Sequence, residues 1–137
     1  MTRSIIFASI LFFPAVILAE FQISDAWIRN LPPSVPVRAG YMTIHNPHTH
    51  PSKIVAVSSN AFASIEIHRT VEKDGLVSME QVPELTIEAN ATVQLAPGGL
   101  HLMMMQPADP IKPGMRVTIT IRLEDGSEQN LELVVKK

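Results

Sequence analysis

Ten residues near the C-terminus alternate without a fault between apolar and polar. Met115, Val117, Ile119, Ile121 and Leu123 alternate with Arg116, Thr118, Thr120, Arg122 and Glu124. Successive side chains of a β-strand point to opposite faces, so a period of two predicts a strand with one face in a core and one in water. The segment after Asp125-Gly126 places Leu131, Leu133 and Val135 on one face. Apolar faces meet only if the connecting loop holds an odd number of residues, and Glu124-Asp125-Gly126 satisfies this where a two-residue turn does not. Further short segments read the same way: Phe21–Asn30, Arg38–His45, Lys53–Ser58, Ala61–Thr70, Leu76–Val82, Ala91–Leu95 and His101–Met105. Proline- and glycine-rich stretches separate them, and Asp74-Gly75 marks a second hairpin turn. Helical periodicity is weak throughout. These features predict an all-β fold, an antiparallel β-sandwich or barrel. The chain of 137 residues has the length of one domain and shows no internal repeat or linker.

The N-terminus is of another kind. Arg3 precedes an almost wholly apolar run, Ile5–Leu18, and the small residue Ala19 stands before Glu20. This is the charged region, apolar region and cleavage site of a secretory signal peptide over residues 1–19, leaving 20–137 as a single domain. The apolar run falls short of the ~20 residues of a membrane span, and Pro14 interrupts it. An uncleaved anchor is the other reading, because Ile17 rather than alanine stands three residues before the cut. Both readings place the domain outside the cytoplasm, in the periplasm, and the mature form has no membrane span.

Composition removes several classes of function. With 11 Lys and Arg against 13 Asp and Glu, the net charge is −2, and the chain carries no basic stripe. Phe21, Trp27, Tyr41 and Phe62 are the aromatic residues after the leader. Nucleic-acid binding, which needs phosphate-neutralising cations, is disfavoured. There is no cysteine. Disulfides, thiol catalysis, iron–sulfur clusters and thiolate-ligated copper or zinc are thereby excluded. No Ser/His/Asp constellation or glycine-rich phosphate loop stands out, so the chain does not read as an enzyme.

Histidine and methionine carry the chemistry. In a strand, His101, Met103 and Met105 share one face, and Leu102 and Met104 the other. An imidazole and a thioether two residues apart can meet one ion, but a Met run is equally good core filler. His68 and Met79 flank the Asp74-Gly75 turn. A loop of two residues places Met79 diagonal to His68 on one face, a loop of four places it directly opposite, and a loop of three puts it on the other face. Apolar matching does not choose, and His68 alone could be a surface histidine. A combined set of two imidazoles and two thioethers, without thiolate or carboxylate, suits Cu(I) and not the hard cations. It also suits an oxidising compartment, where free thiols are lost.

The spacing His68, ten residues, Met79, twenty-one residues, His101-Leu102-Met103 resembles the periplasmic PCu(A)C copper chaperone family. So do Ala39-Gly-Tyr-Met-Thr-Ile-His-Asn46, Ile65-Glu-Ile-His68 and Ala96-Pro-Gly-Gly-Leu-His101. The resemblance runs from Phe21 to Val135. It implies a cupredoxin-like Greek-key β-sandwich that binds one Cu(I) through His68, Met79, His101 and Met103. It further implies delivery of copper to the binuclear centre of cytochrome c oxidase subunit II, alongside a Sco-type thiol protein. Met105 is outside the motif, and the chain lacks the His/Met-rich tail of some members. A copper buffer without a specific recipient shares the same site. A metal-free interaction module, with its methionines in the core, is the reading from another class.

Three further features have ordinary explanations. His45, His48 and His50 could hold Cu(II) or Zn(II), but Asn46-Pro47 explains a polar loop without metal. Trp27 reads as core. Glu66 shares the parity of His68 and could orient its ring, although a solvated carboxylate is the commoner outcome.

Overall fold

The computed structural model describes Ile10, Leu11 and residues 20–137. The expected leader, apart from those two residues, lies outside the described residues. The strands are β1 (Gln22–Arg29), β2 (Val37–His45), β3 (Ser52–Ser58), β4 (Phe62–Lys73), β5 (Leu76–Gln81), β6 (Leu85–Ile87), β7 (Thr92–Leu95), β8 (Leu100–Pro107), β9 (Arg116–Leu123) and β10 (Glu128–Lys136). Among the described residues there is no helix, hence none long and apolar enough to cross a membrane.

Apolar matching sets the C-terminal hairpin as expected. Ile119 faces Leu131 and Val117 faces Leu133. The backbone N–H of Leu123 donates to the Ser127 carbonyl at 2.9 Å, which closes a three-residue loop over Glu124-Asp125-Gly126. Val117, Ile119, Ile121, Leu133 and Val135 are buried.

The strands pair in the order β5-β4-β8-β2-β1-β10-β9-β3-β6, with an added β3–β4 pairing through Val57 and Ile65. That contact closes seven of them, β4-β8-β2-β1-β10-β9-β3, into a barrel-like ring. Closure removes most open edges, which an exposed sheet would have to protect. The fold class is the expected cupredoxin-like β architecture, with one pair that is not antiparallel. β1 runs parallel to β10, Trp27 beside Val134 and Arg29 beside Lys136. Residue spacing does not display this pairing, because the two strands stand at opposite ends of the domain. Strand β6 also went unread: two apolar residues around Thr86, just after Pro83, give too short an alternation.

Trp27 is a correction to the sequence reading. Phe21, Ile23 and Trp27 share a parity that predicts the same face. A bulge in β1 between Ser24 and Trp27, with Asp25 at φ +51°, inserts one residue and inverts that parity. Ile28 therefore enters the core at 0% exposure. Trp27 turns outward onto Tyr41, ring centroids 4.7 Å apart, with Lys136 Nζ 5.2 Å from the indole centroid.

Candidate metal centre

Register assembles the site. β4 and β8 pair with His68 opposite His101 and Glu66 opposite Met103. Residues directly opposite in an antiparallel pair project to the same face. This face is the outer one, because Ile65, Ile67, Leu102 and Met104 fill the core from the other side. Met104 is thus core filler, while Met103, its neighbour, is half-buried on the outer face.

The fourth residue arrives through the Asp74-Gly75 turn. Asp74 has φ +53° and Gly75 φ +76°, the two left-handed residues of a two-residue hairpin whose twist matches its strands. Lys73 therefore faces Leu76, Thr70 faces Met79 and Gln81 faces His68. Met79 lies diagonal to His68 on the shared face, the two-residue alternative of the sequence reading. The structure brings all four sequence-named residues to one sheet face. They lie beside the Ala96–Gly99 turn, on the wall of the barrel rather than beyond its strand ends. Met79, His101 and Met103 line one concavity with Tyr41, Thr70, Pro97 and Gly98. His68 adjoins it, its ring centroid 6.0 Å from that of His101.

Hydrogen bonding fixes which ring nitrogens are free. His101 is 4% exposed, and its Nδ1–H donates to the Gly99 carbonyl at 3.1 Å. A carbonyl only accepts, so Nδ1 carries the proton and Nε2 keeps a lone pair. His68 Nε2–H donates to Glu66 Oε2 at 2.7 Å, which leaves its Nδ1 with the lone pair when the ring is neutral. His101 Nε2 and His68 Nδ1 are both buried and neither has a hydrogen-bond partner. Buried polar atoms are almost always paired, and leaving one unpaired costs about 1–3 kcal/mol. Two such atoms, on facing imidazoles beside two thioethers, fit a soft monovalent ion that takes nitrogen and sulfur. They suit neither Mg²⁺ nor Ca²⁺, which need oxygen.

Three neighbours were not read from the sequence as site residues. Tyr41, 5% exposed, walls the concavity beside His101. Arg38 is 2% exposed on the core side of β2, and its Nη1 donates to the Val35 and Val37 carbonyls at 2.7 and 2.8 Å. Glu66 does not stand in solvent alone but is engaged with His68; only their shared parity pointed to it.

The other histidines stay apart. His45 Nδ1 lies 2.9 Å from Thr92 Oγ1 across the β2–β7 pair. His48 and His50 stack with ring centroids 5.1 Å apart. Asn46, fully buried, organises their loop: its Nδ2 donates to the carbonyls of His50, Ile87 and Glu88, and its Oδ1 accepts from the His48 N–H. Among the described residues no three His, Cys, Asp or Glu side chains form a group able to hold a metal ion. The outer-face set is not of that kind, since half its donors are thioethers.

A closed β-domain with two imidazoles and two thioethers on one outer sheet face is a cupredoxin-like protein with a thiolate-free, soft donor set. Its sequence matches the LpqE-like family over residues 21–135, and the chain belongs to that family, which is the PCuAC family. The protein Lxx21020 of Leifsonia xyli subsp. xyli is 31% identical over 116 residues, covering 84% of this chain and 69% of its own. Among solved structures, the CuI form of DR1885 from Deinococcus radiodurans is 34% identical with a TM-score of 0.71, over 90% of this chain and 82% of that one. The copper-bound PCuAC domain of PmoF2 has a TM-score of 0.73 over 88% of this chain and 95% of its own. At 19% identity it shows likeness of fold.

Proposed function

We propose that this chain is a periplasmic Cu(I) metallochaperone whose ligands are His68, Met79, His101 and Met103. The observation that carries the reading is the pair of buried, unpartnered imidazole nitrogens on the face that bears both thioethers. The CuI form of the 34% identical DR1885 supports it. The chain acts as a carrier, not as a catalyst. Residues 1–19 direct export and are removed, and residues 20–137 form the copper domain; the family and the Leifsonia relative are both named for lipoproteins, which agrees with a place outside the cytoplasm.

Met79 suits a role in transfer. It is 54% exposed, whereas His101 is 4% exposed. An acceptor's ligand can displace the exposed thioether while the imidazoles still hold the ion, so copper is never released to water. All four ligands are neutral, so an anionic thiolate acceptor draws the cation onward. The recipient is the binuclear copper site of cytochrome c oxidase subunit II, with a Sco-type thiol protein as companion.

The test is an anaerobic Cu(I) titration against a competing chelator, read together with copper K-edge absorption. One equivalent in a mixed nitrogen and sulfur environment is expected. Met79→Ala and Met103→Ala weaken binding by about tenfold or more, on the order of 1.4 kcal/mol, with the fold intact. Unchanged affinity in either variant removes that residue from the site. Loss of oxidase activity at low copper in a deletion strain supports delivery; copper sensitivity alone supports buffering.

A further inference from the structure

Glu66 stands beside the four proposed ligands without being one of them. It projects from β4 on the ligand face, opposite Met103 and two residues before His68. Its side chain is 37% exposed and that of His68 16% exposed. Among the described residues, His68 is its sole ion-pair partner; no Lys or Arg lies within 4.0 Å of it. A half-buried carboxylate committed to one imidazole, and to no cation, is not explained by surface charge pairing. Its Oε2 stands 2.7 Å from His68 Nε2 and can only accept there when ionised.

Two consequences follow. The bond selects the His68 tautomer with the proton on Nε2 and the lone pair on Nδ1, the atom that is buried without a partner. It also sets a negative charge one imidazole away from the ion. Carboxylates that hold the far nitrogen of a metal-ligating histidine fix ring orientation and raise its basicity. On His101 the corresponding acceptor is the Gly99 carbonyl, and the free atom is the opposite one, Nε2.

We propose that Glu66 is a positioning residue for copper. By accepting the Nε2–H of His68 it presents Nδ1 of that ring to the ion, while His101 presents Nε2. The inference rests on the Cu(I) reading above for its metal, but its tautomer half stands without copper.

Cu(I) is diamagnetic, so long-range ¹⁵N–¹H correlation of the imidazoles tests both halves. In the metal-free protein, His68 is expected as the Nε2–H tautomer and His101 as the Nδ1–H tautomer. Glu66→Ala removes the downfield shift that the carboxylate bond gives the His68 Nε2–H and leaves the Nδ1–H of His101 as it was. Glu66→Gln, which keeps an acceptor oxygen without charge, retains more of it and serves if the alanine variant misfolds. One equivalent of Cu(I) shifts His68 Nδ1 and His101 Nε2. Glu66→Ala lowers Cu(I) affinity about 10–100-fold, and Glu66→Gln lowers it less. A copper-induced shift at His68 Nε2, or an Nε2–H resonance and a Cu(I) affinity both unchanged in Glu66→Ala, overturns the proposal. A wild-type protein that shows the tautomers but takes no Cu(I) defeats the chaperone reading and leaves Glu66 as an organiser of His68.

Discussion

The β4–β5 and β9–β10 hairpins both turn on Asp-Gly, and they turn differently. At Asp125-Gly126 the loop has three residues, with Gly126 at φ +87°. At Asp74-Gly75 it has two, both left-handed. The flanking strands explain the difference. β9 and β10 each bury alternate residues, so only a loop that matches their apolar faces is stable. Every residue of β5 is exposed, Leu76 and Val77 included. With no burial to satisfy, the local preference of Asp-Gly for a twist-matched two-residue turn decides. Register is thus set by the core in one hairpin and by the turn in the other. In the second, the turn itself places a proposed copper ligand.

The comparison breaks most severely if the core hairpin loses a buried side chain. Leu133 has 0% exposure, and Leu133→Ala is expected to cost about 2–5 kcal/mol in denaturant unfolding. Leu76, 75% exposed on β5, is the control: Leu76→Ala changes stability by no more than about 0.5 kcal/mol. Similar losses at both positions would show that β5 is supported by burial after all.

A register change separates the turn from the ligand. One glycine inserted within β5, between Val77 and Ser78, keeps the two-residue turn and the Lys73–Leu76 pair but moves Met79 opposite Arg69, on the other face. Unfolding stability is expected to stay within about 1 kcal/mol, because β5 lies outside the closed ring. Cu(I) affinity falls by the same factor as in Met79→Ala. Full affinity in the insertion variant rules out register counted from the turn as the device that places the ligand.

A smaller change probes the same contrast. Gly75 and Gly126 both have positive φ, and an added Cβ at either meets nothing within 4 Å, so strain in the backbone is the dominant cost. That cost is about 1 kcal/mol. Gly126→Ala lowers global stability by this amount. Gly75→Ala leaves the melting temperature nearly unchanged and weakens Cu(I) binding by about fivefold, the same energy expressed in the hairpin that presents Met79. Equal losses of melting temperature would mean that the two hairpins unfold as one unit.

Most of this was legible in the sequence, for reasons that also define the rest. Nine of the ten strands announce themselves because burial on one side forces alternation, as in β9, or because turn residues bracket them, as in β5. A period of two puts His101 with Met103, while joining His68 and Met79 to them rests on the resemblance to the PCuAC family. What spacing could not reach was any feature set by a single irregular residue or by distant pairing. The bulge at Asp25 sends Trp27 outward, and the parallel β1–β10 pair joins the two ends of the domain. The Glu66–His68 bond was visible only as shared parity, because parity gives the face and not the partner.

The finest distinction lies in acid. Asp125 Oδ1 accepts from the Ser127 hydroxyl at 2.6 Å and from its backbone N–H at 2.8 Å. The hydroxyl bond first, and the N–H second, hold the carboxyl below its ordinary value of 3.8. A carboxyl depressed in the folded state contributes stability that is complete above its unfolded pKa. The contribution disappears as pH falls through the lower, folded value. Unfolding of the wild type and of Asp125→Ala, followed from pH 7 downward, should therefore give a difference that is constant above the ordinary carboxylate range and closes as pH falls below it. The carboxylate is fully exposed, so this difference is the smallest of those considered. A difference that persists once the carboxyl is protonated in both states would assign the effect of Asp125 to packing within the loop and not to its charge.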